Sequence, residues 1–419
     1  MSDRKIADAS PATPTKRQRF GPGLLVTAAF IGPGTVTTAS VAGAEFGFAL
    51  VWAAVFAILA TMVMQEMAAR LGIVSRAGLG EALRATFTNP VTGVIVAVLV
   101  VAAIAVGNAA FQTGNIAGAA VALTTISGVP TQVWAVAVGV LAFGLLYTGI
   151  YRFIEAVMIA LVGVMTIVFI VTAVVVRPDL GALAAGLVPT IPDGSTITVI
   201  ALIGTTVVPY NLFLHASSVR QKWTADIPLE KSLPQARTDT YVSVGVGGVI
   251  TLAVVTTAAA SLFAHGLSVS NGADMAQQLE PLLGPAAKWF FAVGLFAAGL
   301  TSAITAPLAA AFAVSGMLGW RMDLKSWRFR GVWVAVLVIG AVLAVAVGES
   351  PVPAIIFAQT TNGLLLPIIA VFLLVVVNRK QVMGEHRNSL ARNLAGGTVV
   401  LVATGLGVFN ILKGLGVLA

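Results

Sequence analysis

Apolar runs long enough to cross a lipid bilayer make up most of this chain of 419 residues. A helix needs about 20 predominantly apolar residues to cross roughly 30 Å of hydrocarbon. Spans of this kind are predicted at 22–47, 49–72, 92–124, 131–149, 153–176, 195–219, 240–265, 285–317, 331–348, 353–377 and 395–415. A helix satisfies its backbone polar groups internally, as lipid requires. The sequence therefore predicts an all-α membrane protein with about eleven transmembrane helices.

Composition and charge exclude several classes of protein. Hydrophobic residues make up 58% of the chain and charged residues 10%, and the formal net charge is +8. The basic residues lie in short loops between the apolar runs, where membrane topology explains them better than nucleic acid binding does. The absence of cysteine excludes disulfides, thiolate metal sites and cysteine nucleophiles. Since no nucleotide motif or catalytic constellation is recognisable either, we expect neither an enzyme nor a bound cofactor.

The basic residues follow alternate spans. They come after spans 2, 4, 6, 8 and 10, and the intervening loops contain almost none. Because positively charged loops remain in the cytoplasm, this alternation predicts a cytoplasmic N-terminus and, after eleven spans, an outer C-terminus. We expect a flexible tail at 1–20, a transmembrane transporter domain at 21–419, and a place in the inner (cell) membrane of a bacterium. The lipid bilayer is the expected partner, and no obligatory protein partner is evident.

The first span is interrupted near its centre. Its middle reads Ile31-Gly32-Pro33-Gly34-Thr35, and proline lacks an N–H group and clashes with the preceding turn of a helix. Backbone groups freed in lipid are costly unless protein, ion or solute satisfies them. A break at this depth therefore indicates a cavity with a binding site. A proline kink repaired by neighbouring helices is the simpler alternative.

The sixth span has a similar interruption. Pro209 stands between Thr205 on one side and Tyr210 and Asn211 on the other. Interrupted helices in corresponding positions of two halves are the best sequence indication of a transporter's binding site. An odd number of helices in each half would invert the second half relative to the first. We predict two inverted five-helix repeats, at about 22–176 and 195–377, and an extra helix at about 395–415.

Several segments resemble the Nramp family (natural resistance-associated macrophage proteins) of proton-coupled divalent-metal transporters. They are GPGLLVTAAFIGPG and AGAEFGFALVW in span 1, MAARLGIVSRAGLGEALR after span 2, YRFIEA at the start of span 5 and VVPYNLFLHAS in span 6. The resemblance extends over nearly the whole chain. It implies the inverted-repeat fold of the sodium-coupled leucine transporter, with helices 1 and 6 broken.

The residues that carry out the chemistry of this family are replaced. The resemblance implies Asp-Pro-Gly-Asn in span 1, where this chain has Gly-Pro-Gly-Thr, and methionine and histidine in span 6, where Val208 and Tyr210 stand. The acids of the family's proton route align with Gln112 and Asn115, and amides do not titrate near neutral pH. These replacements weigh against both a desolvated dication and proton coupling on this route. Bonding between helices is an equally good explanation of the two amides.

Span 8 resembles the sodium-binding segment of sodium-coupled transporters with this fold. It contains Ala-Gly-Leu-Thr-Ser at residues 298–302. The resemblance implies that Na⁺, as coupling ion, would bind the hydroxyls of Thr301 and Ser302 and backbone carbonyls of Ala298, Ala29 and Gly32. Neutral oxygens of this kind suit a monovalent cation. Ordinary helix contacts, in which serine and threonine are common, are the competing explanation.

The predicted cavity offers hydrogen-bond donors and no fixed charge. Helices that begin after Gly34 and at Pro209 would direct free N–H groups and partial positive charge inward, which favours an anion. We predict that the substrate-binding residues are Gly32, Gly34, Thr35, Thr205, Tyr210, Asn211 and Gln359.

Three functions are compatible with these features. The main prediction is a secondary active transporter, a sodium-coupled symporter of a small monovalent anion, with bicarbonate chosen on size and charge. The alternative is a divalent metal cation transporter of the Nramp type, for Mg²⁺ or Mn²⁺, which keeps the ion largely hydrated and lacks normal proton coupling. A membrane receptor or sensor on a transporter scaffold ranks third.

Overall fold

The computed structural model describes residues 21–148, 151–320, 324–348 and 351–415, and within them it is built from helices without a β-strand. The predicted tail at 1–20 lies outside the described residues. The α-helices are α1 (Pro22–Phe30), α2 (Pro33–Phe46), α3 (Val51–Ser75), α4 (Leu79–Thr86), α5 (Pro90–Ser127), α6 (Thr131–Thr148), α7 (Tyr151–Val175), α8 (Leu180–Ala185), α9 (Thr196–Thr206), α10 (Pro209–Lys222), α11 (Leu229–Ser261), α12 (Gly272–Gln277), α13 (Glu280–Leu283), α14 (Ala287–Leu318), α15 (Trp327–Val347), α16 (Pro351–Val377), α17 (Lys380–Met383) and α18 (Leu390–Gly414).

The predicted spans correspond to long helices or to interrupted pairs. Spans 1 and 6 are the pairs α1 with α2 and α9 with α10, and the other nine are α3, α5, α6, α7, α11, α14, α15, α16 and α18. Up to ten of these are long and apolar enough, within the described residues, to cross a membrane. The remaining one, α7, is a helix of 25 residues at the fifth predicted span. The predicted all-α membrane class is thus confirmed.

Two helices extend beyond their predicted spans. Helix α11 begins at Leu229 rather than near residue 240, and α18 begins at Leu390 rather than near 395. The predicted spans followed apolar length alone, whereas a helix can continue past the hydrocarbon where water or other polar groups satisfy its charged side chains. The first turns of α11 contain Glu230, Lys231 and Arg237. These polar extensions bring charged residues together at one end of the helix bundle.

Glycines allow the helices around the two interruptions to approach one another closely. A Cβ atom added at Gly204 of α9 would lie 2.1 Å from the carbonyl oxygen of Gln359 in α16. A Cβ atom added at Gly118 of α5 would lie 2.1 Å from the Cβ atom of Pro33. Small residues are the usual means by which membrane helices pack backbone to backbone. Helices α5, α9 and α16 consequently enclose the break in the first span.

We predict that Gly204→Ala destabilises the protein. The new methyl group would meet backbone, which has no free rotamer to relieve the clash, and overpacking of this kind costs about 1–3 kcal/mol. Thermal unfolding of the purified protein should show a clearly lower melting temperature. The control is Gly144→Ala in α6, where an added Cβ atom meets nothing within 4 Å. Equal melting temperatures for the two variants would contradict the close approach of α9 and α16.

Candidate functional site

The first span is broken between Phe30 and Pro33. Helices α1 and α2 meet at an angle of 55°, and Gly32 between them is extended, with φ −121° and ψ −176°. Pro33 occupies the first turn of α2, where its missing N–H group costs no helical hydrogen bond. The Thr35 hydroxyl donates to the carbonyl of Phe30 across the gap. The predicted interruption is present and is partly satisfied by the chain itself.

The sixth span is broken in the same manner. Helix α9 ends at Thr206 and α10 begins at Pro209, with Val208 extended between them at φ −78° and ψ 121°. Both interruptions therefore place a proline at the start of the second helix. Each contains the C-terminal carbonyls of one helix and the N-terminal N–H groups of the next. A single break thus offers partial charges of both signs.

Two side-chain contacts join the breaks to each other. The hydroxyls of Thr35 and Thr205 lie 2.8 Å apart. The Tyr210 hydroxyl donates to the carbonyl of Ala29 over a longer distance of 3.5 Å. All four residues are buried. The structure thus brings together three residues predicted for the substrate site, Thr35, Thr205 and Tyr210, and Ala29, which was predicted as a sodium ligand.

Helices α5 and α14 contribute polar atoms on one side of the first break. A Cβ atom added at Gly32 would lie 2.9 Å from Ser302 Oγ and 3.7 Å from Asn115 Oδ1. Neither of these oxygen atoms has a hydrogen-bond partner among the described residues. From the sequence, Asn115 was predicted only as a replacement in the proton route or as a residue that bonds between helices. Its position against Gly32 makes it a member of the site, which sequence spacing alone could not reveal.

Helix α16 contributes the amide of Gln359. A Cβ atom added at Gly34 would lie 2.2 Å from Gln359 Nε2, so this amide rests directly on the first turn of α2. In the described part of the chain, neither polar atom of the Gln359 side chain is hydrogen-bonded, and the same holds for both polar atoms of Asn211 at the start of α10. Both side chains are fully buried. They are the buried polar groups most in need of a ligand or water.

We name these residues the break site. It comprises Gly32, Gly34, Thr35, Asn115, Thr205, Tyr210, Asn211, Ser302 and Gln359. All nine are uncharged. Within the ranges that the structure describes, no three histidine or acidic residues gather as a metal cluster would require. Any ion bound here must be held by neutral oxygen atoms and by the helix ends.

One pair of the predicted sodium ligands lies together, since Ser302 lies against Gly32 as expected. The Thr301 hydroxyl donates to the Ala297 carbonyl in its own helix at 2.8 Å, and the Ala29 carbonyl accepts from Tyr210. Both oxygen atoms keep a free lone pair after these hydrogen bonds, so neither contact prevents them from binding a cation. Sodium binding stays a prediction.

Of the two amides that replace the family's acids, Gln112 bonds between helices. Gln112 Nε2 donates to the carbonyl of Ala303 in α14 at 3.0 Å, and Asn115 Nδ2 donates to Gln112 Oε1 within α5 at 3.4 Å. Gln112 thereby joins α5 to α14, and it also orients Asn115. The bonding between helices that the sequence left open is present for Gln112.

His215 lies beyond the break site on α10. Its Nδ1 atom is 2.9 Å from Gln65 Oε1 in α3, and it is buried. This contact holds α10 against α3. No described residue accepts from or donates to its Nε2 atom.

The fold is that of a helical membrane protein with two interrupted helices. It is similar to the crystal structure of the Eremococcus coleocola manganese transporter in complex with an aromatic bis-isothiourea substituted compound, with a TM-score of 0.74, 23% identity, and coverage of 94% of this chain and 86% of that one. It is also similar to MhsT in complex with L-phenylalanine, with a TM-score of 0.63, 16% identity, and coverage of 94% and 98%. Both likenesses concern the fold.

Sequence comparison then gives the family. The chain is 30% identical over 405 residues to the divalent metal cation transporter MntH of Deinococcus radiodurans, covering 95% of this chain and 90% of that relative. The model of the natural resistance-associated macrophage protein-like family, Nramp, matches residues 23–413. This chain belongs to the Nramp family. Its members are transporters, so the chain is not an enzyme.

The main functional prediction, sodium-coupled symport of bicarbonate or another small anion, is wrong. The sequence relatives are divalent metal cation transporters. The prediction counted the helix N-termini at α2 and α10, which favour an anion. It omitted the C-terminal ends of α1 and α9 at the same breaks, whose carbonyl oxygens favour a cation. The expected anion partner is withdrawn with it, whereas the membrane location is confirmed and the orientation of the termini stays a prediction.

We predict that Gly34 and Gln359 are energetically coupled. Gly34→Ala should lower the melting temperature because its methyl group displaces the Gln359 amide. In a Gln359→Ala background the same change should cost much less, since the displaced group is gone. Melting temperatures of the four proteins give the coupling, and contacting residues typically differ from additivity by about 0.5–3 kcal/mol. Additive effects would mean that the amide does not rest on Gly34.

Proposed function

We propose that this protein transports a divalent metal cation, Mg²⁺ or Mn²⁺, through the break site. Membership of the Nramp family supports the substrate class. The observation that carries the proposal to these residues is a set of buried, unpaired oxygen atoms around the two breaks. They are Asn115 Oδ1, Asn211 Oδ1, Ser302 Oγ and Gln359 Oε1.

Unpaired polar atoms are costly in a protein interior. Each buried group without a partner costs about 1–3 kcal/mol relative to a bonded one. The four side chains are at most 1% exposed. A hydrated cation would satisfy them through its own coordination bonds or through its water molecules. The cost of keeping these oxygens unpaired then has a function, which is to leave them available to the substrate.

The donor atoms favour a hard cation. Amide, hydroxyl and carbonyl oxygens suit Mg²⁺ and Mn²⁺. The thioether that the Nramp resemblance implies is replaced by Val208, so this position offers no soft ligand. We therefore expect the two ions to be carried with similar apparent affinities, without the preference that a sulfur ligand would add.

Because the break site has no carboxylate, a bound dication must keep much of its hydration shell. A dication stripped of its water needs counter-charge in a medium of low dielectric constant. The break site provides only dipoles. The ion therefore keeps most of its first hydration shell, as Mg²⁺ usually does in proteins, and its affinity is low.

In this proposal, α5 has no titratable residue at the two positions that align with the family's proton route. Gln112 and Asn115 stand at the two aligned positions and are hydrogen-bonded to one another. Amides do not titrate near neutral pH. Transport would then follow the gradient and electrical potential of the cation, with little dependence on a proton gradient.

Removal of the oxygen donors should abolish transport. Purified protein in liposomes, with a fluorescent indicator for Mg²⁺ or Mn²⁺ inside, should show uptake that falls at least tenfold in Asn211→Leu and in Gln359→Leu. The matched control is Thr361→Val in the same helix as Gln359. The Thr361 hydroxyl donates to its own helix at the Phe357 carbonyl, so uptake should persist. Absence of uptake of both ions by the unaltered protein would overturn the proposal.

Addition of a carboxylate should tighten binding of the cation. Gly32→Asp places negative charge at the centre of the break site, while Gly32→Asn adds a side chain of nearly the same size without charge. Both must displace the Ser302 hydroxyl, so their difference reports charge alone. We expect the half-saturating Mn²⁺ concentration of the aspartate variant to be at least tenfold lower than that of the asparagine variant. Equal values would place the ion away from Gly32.

A further inference from the structure

Three arginines surround one buried glutamate where α3, α11 and α18 meet. Arg70 Nε lies 3.1 Å from Glu66 Oε1, and Arg237 Nε and Arg392 Nη2 each lie 3.8 Å from the same oxygen atom. The Glu66 side chain is 7% exposed. We name these four residues the arginine cluster. It lies on helices that do not form the break site.

The arginine cluster has an excess of positive charge. Guanidinium groups remain protonated in proteins, so three arginines and one ionised glutamate carry a net charge of +2. The nearest acid along α11, Asp239, is paired with Lys222 at 3.5 Å and caps the N-terminus of α1 through Gly23. It therefore does not offset this excess. Like charges this close repel one another, and an anion would relieve the repulsion.

The three arginines differ in burial and in how many hydrogen bonds their guanidinium groups make. Arg70 donates to Glu66, to the His386 carbonyl and to Asn388 Oδ1, and it is buried. Arg237 and Arg392 are 45% and 33% exposed. Their contacts with Glu66 at 3.8 Å are longer than a hydrogen bond. Since each guanidinium has five donors, these two retain ample capacity for a further anion.

One side of the cluster is apolar. A small cavity at the cluster is lined by Ala69, Leu233 and Ala236 beside Glu66, Arg70 and Arg237. Basic side chains beside an apolar cavity wall match a phospholipid, which has a phosphate group joined to acyl chains. Basic pockets between membrane helices on the cytoplasmic side are known to hold anionic headgroups.

We propose that the arginine cluster binds the phosphate group of an anionic phospholipid. The phosphate would receive bidentate hydrogen bonds from Arg237 and Arg392, a geometry for which guanidinium is well suited. It would thereby link α11 to α18 in the same way that Arg70 links α3 to Asn388. All three arginines follow spans whose loops the charge pattern assigns to the cytoplasm, so the lipid would come from the inner leaflet. The lipid would add to the attachment of α18 that the hydrogen bonds between Asn393 and Asn378 already provide.

The test compares the melting temperature of the detergent-purified protein with phosphatidylglycerol and with phosphatidylcholine. A ligand that binds only the folded state raises its stability, so phosphatidylglycerol should raise the melting temperature by a few degrees more than phosphatidylcholine. The double variant Arg237→Gln/Arg392→Gln should lose more than half of this difference. A control double variant, Lys231→Gln/Arg379→Gln, removes two exposed basic residues at the same end of the bundle and should keep the difference.

Further measurements distinguish a lipid from free phosphate as the ligand. They also test the proposal if a variant does not fold. Inorganic phosphate that produces the same arginine-dependent shift would assign the cluster to free phosphate rather than to lipid. If the double variant does not fold, native mass spectrometry of Arg237→Gln should show fewer bound phosphatidylglycerol molecules than the unaltered protein. Glu66→Gln, which removes the competing carboxylate, should increase the lipid-dependent shift. An unchanged phosphatidylglycerol effect in both arginine variants would overturn the proposal.

Discussion

Backbone polar groups released by the two helix breaks must find partners inside the protein, and this constraint organises the rest of the structure. Lipid offers them none. The chain responds with proline at the start of α2 and of α10, so that one N–H group is absent where it would be unpaired, and with the Thr35 hydroxyl bonded to the Phe30 carbonyl. The contact between Thr35 and Thr205 then joins the two breaks. The helices that pack around them bury what remains.

The unpaired groups that remain are as informative as the paired ones. A structural kink would satisfy its polar side chains, whereas Asn211 and Gln359 keep both polar atoms free of partners in the described residues. Each such group costs free energy until water or a ligand satisfies it. The proposed binding of a hydrated cation would offset that cost. The neutral character of the site then determines the chemistry, because dipoles can replace part of a hydration shell but cannot offset the full desolvation of a dication.

A second polar region lies apart from this site and has the opposite character. The break site contains no charge, whereas the arginine cluster concentrates three guanidiniums on a single carboxylate. Asn378, Asn388 and Asn393 extend this network by mutual hydrogen bonds to the start of α18. The break site is the proposed substrate site, whereas the arginine cluster and the asparagines attach helices to each other.

The sequence correctly indicated most of the fold. Apolar length predicted the helices because a bilayer imposes a minimum length on each, and proline predicted the breaks because its geometry disrupts a helix locally. The site was predicted in part for the same local reason: Gly32, Thr35, Thr205 and Tyr210 lie beside the breaks themselves. The sign of the substrate's charge was predicted wrongly. The helix N-termini at the breaks favour an anion, whereas the C-termini present at the same breaks favour a cation.

By itself, the sequence determined that this chain is a helical membrane protein, where its helices run and where two of them break, because these depend on local composition and on the backbone chemistry of proline and glycine. Only the tertiary structure decided which distant side chains meet at the breaks. The placement of Asn115 against Gly32 depends on how α5 packs and was not predicted, whereas Ser302 and Gln359 were predicted at this site only through the resemblance to transporters of this fold, and the packing of α14 and α16 sets their contacts with Gly32 and Gly34. The gathering of Arg70, Arg237 and Arg392 around Glu66 likewise depends on helices that are far apart along the chain. Such contacts follow from the packing of small residues between helices, which no local pattern specifies.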